Sequence, residues 1–230
     1  MNVLFVQHSC FLVETDSCYL LFDYYTGELP AFSSEKPLYI FASHQHPDHF
    51  SPEIFDVARS VDHAQIILAF DIKENRIPDD CLALTVRMAP HETIALPQLT
   101  AETLFSTDKG VAYLVTVSGK CLYHAGDLNC WQWAENSPRN NEIMETLYLR
   151  EISRLKNCDI FAAFLPLDPR QKSYYDVGMR LFLEQIGADH IFPMHMWGQF
   201  DAIDHFCNTY PGYAKAVEIV SRNGQSFSID

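Results

Sequence analysis

The first half of the chain alternates between short apolar runs and polar turns, a pattern of strands. Val3 to Val6 reads as a first strand. Cys10 to Glu14 and Cys18 to Phe22 read as a hairpin around Thr15-Asp16-Ser17. Residues 24–36, with Gly27, Pro30 and paired serines, read as a loop. The apolar run from Lys36 to Ala42 predicts a buried strand. A helix follows from Pro52 to Ser60, with Ser51 as N-cap, Pro52 at the first helical position and Glu53 in the first turn. Gln65 to Ala69, Leu82 to Met88, Glu92 to Leu96 and Gln98 to Phe105 read as further strands. Val111 to Val117 and Lys120 to His124 pair as a hairpin across Ser118-Gly119.

The second half turns helical. Glu142 to Lys156 places Ile143, Leu147, Leu149, Ile152 and Leu155 roughly on one face. Asp159 to Leu165 is a strand run, Asp176 to Ile186 a helix stopping near Gly187, and His190 to Met194 a strand. Helices at Asp201 to Cys207 and Tyr213 to Ser221 precede a last strand at Gln225 to Ile229. Two strand-rich sections, each followed by helices, predict two packed sheets with helices outside, of class α/β or α+β. There is no internal repeat, linker or low-complexity segment, so residues 1–230 read as one domain.

The densest chemistry sits between the strand ending at Ala42 and the helix beginning near Pro52. His44, His46, Asp48 and His49 fall within six positions, on the kind of strand-to-helix loop where function concentrates. If the strand continues into the loop, His44 and His46 point the same way and can grip one metal. Asp48 repeats that direction, and His49 is offset toward a second centre. Imidazole and carboxylate suit zinc, iron or manganese. A plain solvated loop is the competing reading, and the clustering makes it the weaker one. Two later strand ends add Asp127, after His124-Ala125-Gly126, and His195, after Ile191 to Met194.

Composition narrows the function. The chain has 230 residues, 48% hydrophobic and 13% aromatic, enough for a substantial core. A formal net charge of −14 argues against a nucleic-acid surface. Bound divalent cations would offset part of that charge, so an anionic small molecule stays open as substrate. Seven cysteines without a C-x-x-C pair read as free thiols in a reducing compartment. No basic leader and no apolar run of ~20 residues is present, and a cytoplasmic location is expected. The oligomeric state is not legible.

The H-x-H-x-D-H pattern of His44 to His49 resembles the signature of the metallo-β-lactamase superfamily. The opening His8-Ser9-Cys10-Phe11 is similar to the ascorbate-phosphate lactonase-like branch. His124-Ala125-Gly126-Asp127 with Trp131 and Trp133, Pro166 to Arg170 with Tyr174 and Tyr175, and Met194 to Gly198 resemble a bacterial subgroup of metal-dependent hydrolases. The resemblance implies a four-layer αββα sandwich holding one or two divalent metals, zinc first, with manganese or iron as alternatives. It implies that His44, His46 and Asp127 hold one metal, and that Asp48, His49, His195 and a bridging Asp127 hold the other. Asp23, after a strand, would fix a ligand by hydrogen bonds. A third histidine, usual in the family, is missing between Glu102 and Gly110, where Ser106, Thr107 or Asp108 could stand in its place.

The expected activity is hydrolysis of a small polar lactone, ester or phosphoester by a metal-activated water, with Asp48 orienting or deprotonating the nucleophile. The alternatives are a phosphodiesterase and a metal-binding sensor or accessory protein without turnover. His8 is read as a hydrogen-bond donor to the site or a substrate contact. Arg170 could hold a substrate anion or make a structural ion pair. Trp131, Trp133, Tyr174, Tyr175 and Trp197 could roof the pocket or fill the core. His124 is expected to be a hydrogen-bonded core residue.

Overall fold

A computed structural model describes residues 1–230. Thirteen strands form two sheets: β1 (Asn2–Gln7), β2 (Cys10–Glu14), β3 (Tyr19–Phe22), β4 (Leu38–Ala42), β5 (Ala64–Ala69), β6 (Thr85–Met88), β7 (Thr93–Leu96), β8 (Leu99–Phe105), β9 (Val111–Val117), β10 (Lys120–His124), β11 (Ile160–Pro166), β12 (His190–Met194) and β13 (Gln225–Ser228). The first sheet runs β13-β1-β2-β3-β4-β5-β6 and the second β12-β11-β10-β9-β8-β7. The helices are α1 (Glu53–Arg59), α2 (Pro138–Ile152), α3 (Val177–Gln185) and α4 (Asp201–Thr209).

The apolar runs have a simple cause. Both faces of the first sheet are covered, so its central strands need no polar alternation. Tyr39 and Phe41 of β4 enter the large core between the sheets. Leu38, Ile40 and Ala42 enter a smaller core under α1, with Ile54, Phe55 and Ala58. β5 divides the same way, Ile67 and Ala69 to one side, Ile66 and Leu68 to the other. On the far side of the second sheet, Tyr148 and Ile152 of α2 and Met179 and Phe182 of α3 close the large core. The result is the αββα layering that the sequence pattern and the resemblance together imply.

Four sequence expectations change. Leu82 to Leu84 of the expected Leu82–Met88 strand belong to a 3-10 turn, Asp79–Leu84, which Pro78, Asp79 and Asp80 start, and only Thr85–Met88 pairs. Residues 213–221 are not a helix. Ile191 donates to the Ala216 carbonyl and Glu218 donates back to Ile191, so the segment lies beside β12 and covers an otherwise open edge. The Ser51 side chain accepts from Glu53 at 3.3 Å, but the cap position falls on Pro52. The helix of the second half also starts earlier than its apolar face suggests, at Pro138. There Ser137 caps it by accepting from Asn140.

Strand direction positions the site. β3, β4 and β5 run parallel in one sheet, and β10, β11 and β12 run parallel in the other. Ligand sites of such sheets form beyond the carboxyl ends of the strands. Asp23 follows β3, Ser43 follows β4, Asp127 lies just beyond β10, Asp168 just beyond β11 and His195 follows β12. Ser43 also joins the two sheets, its carbonyl accepting from Val111 N at 2.9 Å. A Cβ on Gly126 would sit 2.6 Å from Ser43 Cβ, and one on Gly110 would sit 1.9 Å from the Ser43 carbonyl oxygen. Only glycine fits at either position.

Candidate metal centre

Two groups of donors face each other across the mouth of the sandwich. His44, His46 and Asp127 form one, and His8, Asp48, His49 and His195 form the other; within each, the donor atoms all lie within 4.8 Å. Asp127 joins them. Its Oδ2 lies 3.5 Å from His44 Nε2, and its Oδ1 lies 3.3 Å from His49 Nε2 and 3.4 Å from His195 Nε2. The grouping follows the division the resemblance implies, with His8 added.

The second nitrogen of each buried ligand histidine is engaged elsewhere. His44 Nδ1 is 3.0 Å from Ser43 Oγ, His49 Nδ1 is 2.7 Å from Asp23, and His195 Nδ1 is 2.8 Å from Asp168. This fixes ring orientation and aims each Nε2 inward. Those Nε2 atoms of His44, His49 and His195, together with His8 Nε2 and Asp127 Oδ1, are buried without a hydrogen-bond partner. Orphaned buried polar atoms are costly. Five of them converging from both sheets fit a cation, and the donor set of imidazoles and carboxylates suits a divalent metal of intermediate hardness.

Backbone strain gathers at the same place. His8, Asp23 and His195 adopt left-handed φ of 52°, 48° and 65°, rare for residues with a side chain and concentrated at functional sites. Asp23 is fully buried and accepts from Ser43 N and Ser43 Oγ, each at 2.7 Å, besides contacting His49. It thus fixes both the start of the histidine loop and one of its rings.

Charge is tightly coupled here. Burial opposes ionisation of Asp23, but the neighbouring His124 and His49 outweigh it and bring its pKa down to about 2. Burial likewise opposes the His49 imidazolium, yet Asp127 and Asp23 push its pKa up to about 9. Burial, then His49, push His44 down to about 3. Asp48 is held well below the usual carboxylate range; burial opposes this, and the neighbouring imidazoles of His8 and His49 overcome it. A ligand imidazole must be neutral, so His49 acting as a ligand would give up its proton on metal uptake. At pH 7.5, between the ordinary value of 6.5 and about 9, binding is expected to release about one proton per chain. Calorimetry in buffers of different ionisation enthalpy measures it. Buffer-independent heat would show that His49 is not a ligand.

The remaining sequence candidates separate. Of Ser106, Thr107 and Asp108, Asp108 comes near the first donor group, with its carboxylate 3.8 Å from His46 Nδ1. Burial and the nearby Asp127 raise its pKa. Ser106 instead accepts from Asp108 N, and the Thr107 hydroxyl is tied to the Asn129 backbone. His8 Nε2 lies 3.3 Å from Asp48 Oδ2 and belongs to a donor group rather than outside it. Arg170 borders the cavity but spends Nε and Nη2 on Asp168, the ion-pair alternative. Trp131, Trp133 and Trp197 line the cavity over the centre. Tyr174 does not: it lines a separate hollow beside α2, because the 3-10 turn of Pro169–Tyr174 carries it away from the mouth. Tyr175 packs near His205. His124 is a core residue, its Nε2 2.9 Å from the Ser9 carbonyl and its ring stacked on Phe22.

Asp168 was not singled out from the sequence as a site residue. The signal was present: it follows an apolar strand run, as Asp127 and His195 do. Fully buried, it holds His195 and Arg170 together. Burial opposes its ionisation, and the hydrogen bonds from His195 and Arg170 bring its pKa to about 2.

Two sheets between helices, with a histidine-aspartate centre at the mouth, define the metallo-β-lactamase class of fold. The chain belongs to this superfamily: the model of the beta-lactamase superfamily domain matches residues 2–137. A UPF0173 metal-dependent hydrolase of Pyrobaculum arsenaticum is 28% identical over 248 residues, covering 96% of this chain and 94% of the relative. Another, of Opitutus terrae, is 28% identical over 146 residues, covering 55% of this chain and only 63% of the relative's length. Among solved structures, the metallo hydrolase Igni18 of Ignicoccus hospitalis superposes with TM-score 0.66 at 17% identity over 100% of this chain and 99% of that one. The diiron β-hydroxylase CmlA of Streptomyces venezuelae superposes with TM-score 0.66 at 12% identity, over 99% of this chain and 54% of that one. No helix is long and apolar enough to cross a membrane.

Proposed function

We propose that the chain is a metal-dependent hydrolase acting on a small substrate at the centre around Asp127. The convergence of orphaned imidazole nitrogens on one buried carboxylate carries this reading. The names of the Pyrobaculum and Opitutus relatives support it. His44, His46 and Asp127 would hold one divalent ion, with Asp108 beside them; Asp48, His49, His195, His8 and the shared Asp127 would hold the other. A metal bound there supplies a water acidic enough to be a nucleophile at neutral pH and an electrophile for the attacked oxygen. Zinc fits the imidazole-rich group. Asp108 in place of a histidine makes the other group harder, which favours manganese or iron there.

The protein's own part is positioning. Asp48 stays ionised, borders the cavity and can accept a hydrogen bond from a water in it, orienting the nucleophile. His8 Nε2 lies 3.3 Å from the Asp48 carboxylate, in the same donor group. The substrate bond is a lactone, an ester or a phosphoester. The second reading, a binding protein without turnover, draws on the first group having three close donors against four in the second.

The test is metal content per chain, by elemental analysis of protein purified without added metal, followed by a panel of lactones, esters and phosphoesters. Two ions and turnover that disappears in His46→Ala are expected. One ion and no turnover, even after metal add-back, would favour the binding protein. Turnover that survives His46→Ala would contradict the mechanism.

A further inference from the structure

We infer that the non-reacting part of the substrate is a flat, uncharged aromatic group, a deepening that rests on the hydrolase reading above. The chain has three tryptophans, and all three line the one cavity over Asp127. They arrive on two separate loops, Trp131 and Trp133 after β10 and Trp197 after β12.

Their geometry is that of fixed faces. The rings of Trp131 and Trp133 lie nearly parallel, 9° apart, with centroids 6.2 Å apart. Trp131 Nε1 donates to the Asp127 carbonyl at 2.9 Å, which anchors this pair to the centre itself. Trp197 stands at φ 54° and is 46% exposed. Neither property serves a core, and a bulky side chain rarely adopts that backbone. The Arg170 guanidinium lies 4.4 Å over its ring and is pinned in turn by Asp168. An exposed indole held on a strained backbone by an ion-paired arginine is a prepared stacking surface.

Charge sets the other half of the inference. Arg170 is the only lysine or arginine on the cavity wall, and its charge is spent on Asp168. The carboxylates of Asp48, Asp108 and Asp127 border the same space. An anion placed away from the ions would meet no free cation, and a neutral aryl group meets indole faces. The cavity volume of about 560 Å³ admits a bicyclic ring system together with the reacting bond.

The test uses 2-naphthol as the binding probe, titrated by calorimetry into metal-loaded and metal-free protein. Binding to both is expected. Trp133→Ala should weaken it about tenfold and Trp133→Phe, which keeps a flat ring, should restore most of it. Trp197→Ala, at an exposed position, is the second variant if Trp133→Ala does not fold. For the loaded protein, the ratio of kcat/KM for 2-naphthyl acetate over ethyl acetate should fall about tenfold in the same alanine variants. Absence of naphthol binding, or binding and ratio unchanged in both alanine variants, overturns the inference. Naphthol binding without turnover of any ester, lactone or phosphoester would remove the hydrolase reading and leave the aromatic subsite standing. Turnover of small esters without naphthol binding would do the reverse.

Discussion

Replacing Asp127 with alanine is expected to strip both metal positions and stop turnover while the chain stays folded. No other side chain faces imidazoles of both donor groups at such short range, with His44, His49 and His195 all within 3.5 Å. Burial opposes its ionisation, but His49, His195 and His44 hold its pKa below the usual carboxylate value, so it is a charged donor at neutral pH. Removing a group that merely orients a ligand typically costs 10- to 100-fold in metal affinity. Loss of a donor shared by two ions should therefore cost at least about 100-fold at each. Elemental analysis after dialysis, with a melting curve to confirm folding, measures it. Two ions retained in Asp127→Ala would show that Asp127 does not bridge.

Asp23→Asn is expected to damage stability as well as metal binding. The carboxylate is fully buried and receives the Ser43 amide, the Ser43 hydroxyl and His49. An amide cannot replace it: it offers one acceptor oxygen, and its NH2 would face donors. Breaking a buried charged cluster from one side costs about 3–5 kcal/mol. Urea unfolding of the metal-free protein should show a loss of that order, and metal affinity should fall about 10- to 100-fold through His49. The pH dependence has a definite sign. The Asp23 pKa is lowered in the fold, so its contribution is full above the ordinary value of 3.8 and is lost as pH falls through about 2. The His49 pKa is raised, so its contribution in the metal-free chain is full below 6.5 and is lost as pH rises through about 9. In Asp23→Asn the alkaline loss should set in at lower pH. An unfolding midpoint equal to that of the unsubstituted protein would show that Asp23 is only a loop residue.

Legibility in the sequence followed locality. The histidine loop could be read because strand, ligands and helix are contiguous, from Leu38 to Arg59. The hairpin of β9 and β10 could be read because its turn dipeptide is local. Asp168 could not be assigned from composition, since its role depends on β11 lying beside β12 so that it reaches His195. Residues 213–221 misled because their apolar spacing suits a helix, while residues 213–216 form turns and the open edge of β12 takes Val217 as an isolated bridge. His8 was placed near the site but not in a donor group. Its left-handed backbone, which turns the ring inward after β1, leaves no mark in residue type. The separation of Trp197 from Tyr174 had the same origin: both are aromatics on loops, and only the path of the Pro169–Tyr174 turn distinguishes them.

The donors do not come from one sheet. The histidine loop follows β4 in the first, and Asp127 and His195 follow β10 and β12 in the second. An ion held by both is a clasp, and any motion that parts the layers at the mouth must first release it. At a free-metal level of 1,000 times the dissociation constant the clasp adds about 4 kcal/mol against opening, comparable to much of a domain's net stability. Starvation for metal would therefore do more than silence the protein. It would loosen the rim of the sandwich, admit proteases, and make the amount of protein that survives in a cell a record of its metal supply.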